Sequence, residues 1–287
     1  MKSIVLTQRR ADWLLAVLAM IWGSSYLWMK ISLTGVPPFF LIFLRFGIAF
    51  VLVAGLCHSR LRQTTKRLLK GSALLGLLLF AVFACLLQGM ETTNASTAGF
   101  LVSTTVVFVP LLQALLQQQR PSRTLMGCCF LTLTGIAMLT LQEQLSWNTG
   151  ALLCIASAVC YALQILETDR EIRLTNALLL GIWQLAFAAG YGLLASLCFE
   201  TPAFPATGLQ WGSVLGLAVL CSAFGFVLQP VAQAHTTPTH TGLIFSLEPV
   251  FSALFAFLFL QEWLSLQGWL GAALVLTSVL LAARRAA

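Results

Sequence analysis

Residues 242–260 read GLIFSLEPVFSALFAFLFL, with a glutamate and a proline side by side in the middle of an otherwise apolar run. The run is long enough to cross a bilayer, which takes about 17–25 residues of helix. An unpaired acid near the middle of such a helix costs at least ~2.5 kcal/mol on insertion scales, so Glu248 must face the protein interior or water. Pro249 removes a backbone donor and disturbs the turn just before it. Freed carbonyls inside a span are tolerated where they line a cavity or meet neighbouring side chains. The stretch therefore predicts a membrane helix with a break near Pro249 that presents a carboxylate to a central cavity. The competing reading is a structural acid hydrogen-bonded to another helix.

Composition extends that reading to the whole chain. Of 287 residues, 59% are hydrophobic and 9% charged, against about a quarter charged in a soluble domain. Water would aggregate such a surface and a bilayer accepts it, so the partner implied everywhere is lipid. Cutting at charged and Pro/Gly-rich breaks predicts ten spans, near 12–33, 38–57, 71–90, 95–117, 124–141, 149–168, 177–198, 209–232, 240–261 and 266–283. The first is too long for a signal-peptide core and is read as a retained helix. Fourteen of the sixteen lysines and arginines fall at the termini or in alternate loops, while the opposite loops carry only Glu91, Glu143, Glu200 and Glu262. That asymmetry predicts a multi-pass protein of the cell membrane with both termini cytoplasmic. It also explains the net charge of +7 as a topology signal, leaving no support for a nucleic-acid partner.

The chain repeats itself. At an offset of 143 residues, STAGFLVSTTVVF (96–108) lies on THTGLIFSLEPVF (239–251), pairing Gly99 with Gly242, Ser103 with Ser246 and Phe108 with Phe251. At an offset of 139, Trp22 meets Tyr161 and Arg45 meets Gln184. Two five-helix halves, 1–144 and 145–287, are expected within one membrane domain. Five is odd, so the halves enter from opposite sides, the inverted repeat of many secondary transporters, with the site near the midplane. The fold class expected is an all-α integral membrane protein of ten transmembrane helices in two inverted five-helix repeats.

Four stretches in order, WGSSYLWMK (22–30), FLRFGIAF (43–50), LQGMETTNASTAGFLVSTTVVFVPLL (87–112) and LQPVAQAHTTPTHTGLIFSLEPVFSALFAFLFLQEWLSLQGWLGAAL (228–274), resemble the EamA-type branch of the drug/metabolite transporter superfamily. The resemblance spans nearly the whole chain. It implies a ten-helix carrier with a cavity lined by the first, third, fourth, sixth, eighth and ninth helices. Bacterial members are mostly exporters of amino acids and other small metabolites. The chain departs from the pattern where QQR (118–120) stands in the first half against QEW (261–263) in the second. The motifs mark the scaffold more than the cargo.

The candidate substrate or coupling residues are Glu248 and Arg45, with Trp22, Ser25, Tyr26, Gln88, Thr105, Tyr161, Gln164 and Gln229 along the expected cavity helices. Glu248 could hold a substrate ammonium or carry a proton. Arg45 could clamp a carboxylate, or snorkel outward as an interfacial anchor or structural ion pair. Trp22 with Tyr26, and Tyr161 with Gln164, are spaced to share a helix face. The bland reading of these polar residues is interhelical packing. Lys30 reads as a surface group. Gly208, Gly212 and Gly216 form G-x-x-x-G steps that predict close packing, within the chain or between two copies, so a monomer or a homodimer is expected. His58, His235 and His240 read as solvated loop residues near the cytoplasmic face. The eight cysteines, with no C-x-x-C pair, read as packing, and neither a metal nor a cofactor is expected.

These residues point to a secondary carrier of a small-molecule substrate by alternating access, exporting amino acids or related metabolites, with protons as a candidate coupling ion. A multidrug or organic-cation exporter on the same scaffold is the alternative. An integral-membrane enzyme would need a set such as H-E-x-x-H or G-x-S-x-G, and the chain has neither; it also lacks the G-x-x-x-x-G-K-[ST] of direct ATP use.

Overall fold

The structure, a computed structural model, describes residues 7–93, 95–117, 122–140, 149–260 and 265–286. The QQR and QEW motifs at 118–120 and 261–263 lie outside that set. All secondary structure among the described residues is helical. The chain begins with α1 (Gln8–Gly23) and α2 (Ser25–Leu33), followed by α3 (Pro38–Leu56), the single turn α4 (His58–Leu61) and α5 (Lys66–Thr92). Next come α6 (Ala95–Ser103), α7 (Thr105–Gln117), α8 (Arg123–Thr140), α9 (Thr149–Ile172) and α10 (Ala177–Phe199). α11 (Gly208–Gly216) passes through a π-helical stretch, Leu217–Phe226, into α12 (Val227–Gln233). α13 (Pro238–Phe245), α14 (Glu248–Leu260) and α15 (Leu266–Ala286) complete the chain.

Side-chain caps set where several of these helices start. Thr65, Asn176, Thr207 and Thr237 each accept from a backbone N–H three residues on, satisfying donors that the helix leaves open. α3 is different, because Pro37 offers no capping side chain. Glu200, just past the end of α10, supplies the cap instead, accepting from Phe39 N at 2.9 Å and Phe40 N at 3.1 Å. A carboxylate at a helix N-terminus also complements the macrodipole.

Seven helical stretches among the described residues are long and apolar enough to cross a membrane, and Arg123–Met138 and Leu266–Val279 are shorter apolar helices. Val51, Leu56, Leu115, Phe130, Leu194 and Leu266 point outward and exposed, as a lipid-facing surface requires. The segment expected as one span at 240–261 is two short helices, α13 and α14, separated at Ser246–Leu247. The break comes just before Pro249, where the missing donor weakens the preceding turn.

A second break falls 143 residues earlier, between α6 and α7. There Thr104 N donates to Leu101 O at 3.2 Å, and the Ser103 hydroxyl donates to Gly99 O at 2.7 Å. In the later break Leu247 N donates to Ile244 O at 3.0 Å and the Ser246 hydroxyl to Leu243 O at 2.5 Å. A third break, at Ser24, separates α1 from α2, and the Ser24 hydroxyl donates back to Ile21 O.

The prolines inside continuous helices have their freed carbonyls covered by side chains from other helices. Pro110 leaves Val106 O without its helical donor, and the Cys129 thiol of α8 reaches it at 3.3 Å. Pro230 leaves Phe226 O free, and Gln184 Nε2 of α10 donates to it at 2.7 Å. α10 packs closely on both α3 and α5, α5 on α9, and α8 on α15. The α5–α10 approach depends on Gly76, where a Cβ would stand 2.9 Å from Gln184 O. Of the three glycines spaced along α11, only Gly216 makes such a contact, with the Trp28 ring; Gly208 and Gly212 face open space.

Candidate functional site

The breaks at Ser24 and Ser246–Leu247 meet each other. A Cβ on Gly23 would lie 2.8 Å from the Glu248 carbonyl oxygen and 3.0 Å from Phe251 Cβ, so the end of α1 rests on the start of α14. Glu248 is the first residue of α14, where the helix dipole favours a carboxylate. Its neighbours Leu247 and Pro249 are buried, while Glu248 keeps partial access. The Tyr26 and Tyr161 hydroxyls and the Cys221 thiol are within electrostatic range of its carboxylate.

Aromatic rings wall this position. Trp22 stacks on Phe226 at 4.8 Å between centroids and meets Phe245 edge-on at 4.9 Å. Tyr161 stacks on Phe245 at 6.0 Å and meets Trp22 at 6.4 Å. Trp22 Nε1 donates to Cys221 O at 2.9 Å, which fixes the indole plane. Such a wall, with a carboxylate at one edge, can hold a cation or an apolar side chain.

Arg45 does not snorkel. It is 1% exposed, against the expectation of an interfacial anchor, because α3 turns it inward under α5 and the π-helical stretch. Nor does it sit in an ion pair: none involves Arg45 among the described residues. Its Nε donates to the Ser222 hydroxyl at 3.0 Å, and Nη1 approaches Met29 Sδ at 3.7 Å. The guanidinium carbon stands 4.2 Å from the Phe83 ring centroid and 4.9 Å from that of Phe46, an arrangement that offsets part of the desolvation cost. Cys221 is within electrostatic range of both Arg45 and Glu248. Consecutive residues of the π-helical stretch thus hold Trp22 through Cys221 O and Arg45 through the Ser222 hydroxyl, a place where π-bulges often serve function.

The glutamines form a separate chain. Gln229 Nε2 donates to Gln164 Oε1 at 3.1 Å, Gln164 Nε2 to Gln184 Oε1 at 3.3 Å, and Gln184 to the proline-freed Phe226 O. Gln233 Nε2 adds a bond to Ile165 O at 2.6 Å. All four are fully buried, so the chain ties α9, α10 and α12 together. Gln184→Ala would leave Gln164 Nε2 and Phe226 O without partners, at about 1–3 kcal/mol for each buried unsatisfied group. A fall in the melting temperature of the purified protein is expected; an unchanged one would show the chain to be dispensable.

Of the other residues singled out in the sequence, Ser25 is buried in the first turn of α2. Thr105 is committed to packing, its hydroxyl within bonding distance of Val102 O and Ala158 O. Gln88 stands apart, lining an outer pocket of about 590 Å³ with Glu91, Pro37, Phe39 and Glu200. Lys30 is exposed. Pro249 is buried one residue past Glu248. His58 and His235 are exposed as expected, but His240 is not: Thr237 caps α13 three residues before it, and the ring is buried against α1. Sequence reasoning missed Phe226, Phe245, Ser222 and Gln184 as site or support residues. Only Gln184 left a signal, as the repeat partner of Arg45. Among the described residues, no group of three or more His, Cys, Asp or Glu side chains could hold a metal.

Comparison with known proteins places this geometry in a family. A transporter of Archaeoglobus fulgidus, described as uncharacterized, is 29% identical over 96% of this chain and 86% of its own length. YetK, an uncharacterized transporter of Bacillus subtilis, is 27% identical over 92% of this chain and 84% of its own, and the Escherichia coli inner membrane protein YtfF is 24% identical over 84% of each. A solved crystal structure superposes with a TM-score of 0.77 over 95% of this chain and 96% of that one at 21% identity, which establishes a shared fold. The profile of the EamA-like transporter family matches twice, over residues 9–141 and 148–284. The chain is a multi-span membrane protein and belongs to the EamA-like transporter family.

Proposed function

We propose that the protein is a secondary transporter of ten spans in two inverted repeats, exporting amino acids or related small zwitterionic metabolites across the cell membrane by alternating access. The observation that carries this reading is a pair of opposite charges inside the helix bundle, Glu248 at the start of α14 and Arg45 within α3. Cys221 is within electrostatic range of both Glu248 and Arg45, and among the described residues neither charge has an ion-pair partner. Arg45 is buried and Glu248 partly so; an unpaired charge in such a place is costly, and a substrate with an ammonium and a carboxylate would pair both.

The inverted repeat is supported by the breaks at Thr104 and Leu247, equivalent residue by residue at the 143-residue offset, and by the family profile matching each half. Broken helices at corresponding positions of two halves are the usual mark of a transporter's binding site. The loops rich in lysine and arginine support cytoplasmic termini. A second reading, a proton-coupled exporter of organic cations, is favoured by the aromatic wall around Glu248, a suitable surface for a cation.

The test is efflux from preloaded right-side-out and inside-out vesicles, offered a mixture of amino acids and lipophilic cations and read by mass spectrometry. Outward movement of zwitterions is the expected result. Selective movement of cations would replace this reading with the second, and no flux of any compound would remove both.

A further inference from the structure

A second polar cluster lies at the opposite end of α1 from Glu248, beside the basic loops. His240 is 4% exposed, and its Nδ1 stands 3.9 Å from Asp12 Oδ1, beyond hydrogen-bond length. The Thr236 hydroxyl sits beside the same carboxylate. Yet both His240 ring nitrogens, Asp12 Oδ1 and Thr236 Oγ1 are buried without a hydrogen-bond partner among the described residues. A neutral imidazole brings one donor and one acceptor, and an ionised carboxylate only accepts. The cluster is short of donors, and one added proton would supply a donor and turn a long contact into an ion pair.

We propose that Asp12, Thr236 and His240 form a proton-binding site separate from Glu248, which takes up one proton between the carboxylate and the imidazole. Asp12 belongs to α1 and His240 to α13, so protonation would draw these two helices together at the basic end of the bundle. Its use in coupling rests on the transporter reading; the proton site itself does not.

Among the described residues no other charged group is paired with Asp12 or His240; Glu248, on α14, lies at the far end of α1. Asp12 and His240 are the charged groups that act on each other. On α1, Arg9 and Arg10 point outward, and α7 contributes no charged residue. On α9, Glu167, Asp169 and Glu171 are paired with Arg170, Arg173 and Arg67. The charged residues of α15 are Arg284 and Arg285, in its last turn. His235, after α12, is exposed, its ring within bonding distance of Val231 O.

The chain has three histidines, so a histidine-labelled sample of the full protein in lipid nanodiscs gives assignable ring signals, with His58→Gln and His235→Gln for assignment. Over about pH 5 to about pH 8, where imidazoles change charge, the His240 ring is expected to titrate. Asp12→Asn should move its midpoint by about one pH unit, as loss of a neighbouring charge does, and leave His58 in place. A His240 ring that keeps one protonation state throughout, or a midpoint indifferent to Asp12→Asn, overturns the proposal. If Asp12→Asn does not fold, proton uptake on acidification, read with an indicator dye, replaces it. His240→Asn should then lack one proton per chain, and equal uptake overturns the site. Both readouts use substrate-free protein, so a failed efflux assay would leave them standing.

Discussion

Glu248→Gln is expected to lower efflux by about two orders of magnitude, the size of effect that follows from losing about 2–5 kcal/mol of a charge pair enclosed between protein and substrate. The melting temperature should stay at or above that of the wild type. The substitution keeps the shape of the side chain and its capacity to hydrogen-bond, while removing the cost of partly desolvating a charge. Loss of flux with loss of folding would assign Glu248 a structural role instead. Wild-type flux at wild-type stability would remove the carboxylate from the mechanism. The two observables separate because Glu248 starts α14 yet holds no interhelical ion pair among the described residues.

Arg45→Met should separate two classes of cargo. The substitution fills most of the space among Phe46, Phe83 and Met29 while deleting the guanidinium, and Ser222 can return its hydroxyl to its own helix. Efflux of an amino acid should fall by tenfold or more, since a hydrogen bond to a charged group contributes about 1.5–3 kcal/mol and about 1.4 kcal/mol is a factor of ten. Efflux of the corresponding amine, which has no carboxylate to bind, should hold. Equal loss of both would mean that Arg45 supports the fold of the site through Ser222. Retention of both would place the substrate elsewhere. Counter-flow in proteoliposomes with paired amino acid and amine substrates makes the comparison directly.

Much of this architecture could be read from the order of residues, and the reasons are local. Membrane residence follows from composition, and the break in the 240–261 segment follows from an acid and a proline together in an apolar run. Tertiary partners were less legible. Arg45 lies eight residues into its helix, a position from which a side chain can reach lipid headgroups or turn inward. Its direction was decided by Met29 and Ser222, 16 and 177 residues away. His240 looked like a loop residue because its neighbours are threonines and a proline. Those residues are the start of a helix, and the cap at Thr237 is what carries the ring inside. The role of Gln184 depends on a carbonyl freed by Pro230, in a helix 42 residues on. Trp22 was legible as an aromatic on a polar face, but Phe226 and Phe245, which complete the wall with it, resemble the other apolar residues of their helices.

The glutamine chain has a mechanical consequence. Each of its amides is used by the next, and the last closes on the carbonyl whose helical donor is missing at Pro230, so α9, α10 and α12 cannot slide past one another without breaking several bonds at once. That makes them a stiff slab. The segments left free to bend are those already interrupted, at Ser24, Thr104 and Leu247, where each turn is held by local bonds. A rocking cycle in this protein would leave the amide-bonded side as the fixed jaw and concentrate its strain in three short joints, two of them in contact beside Glu248.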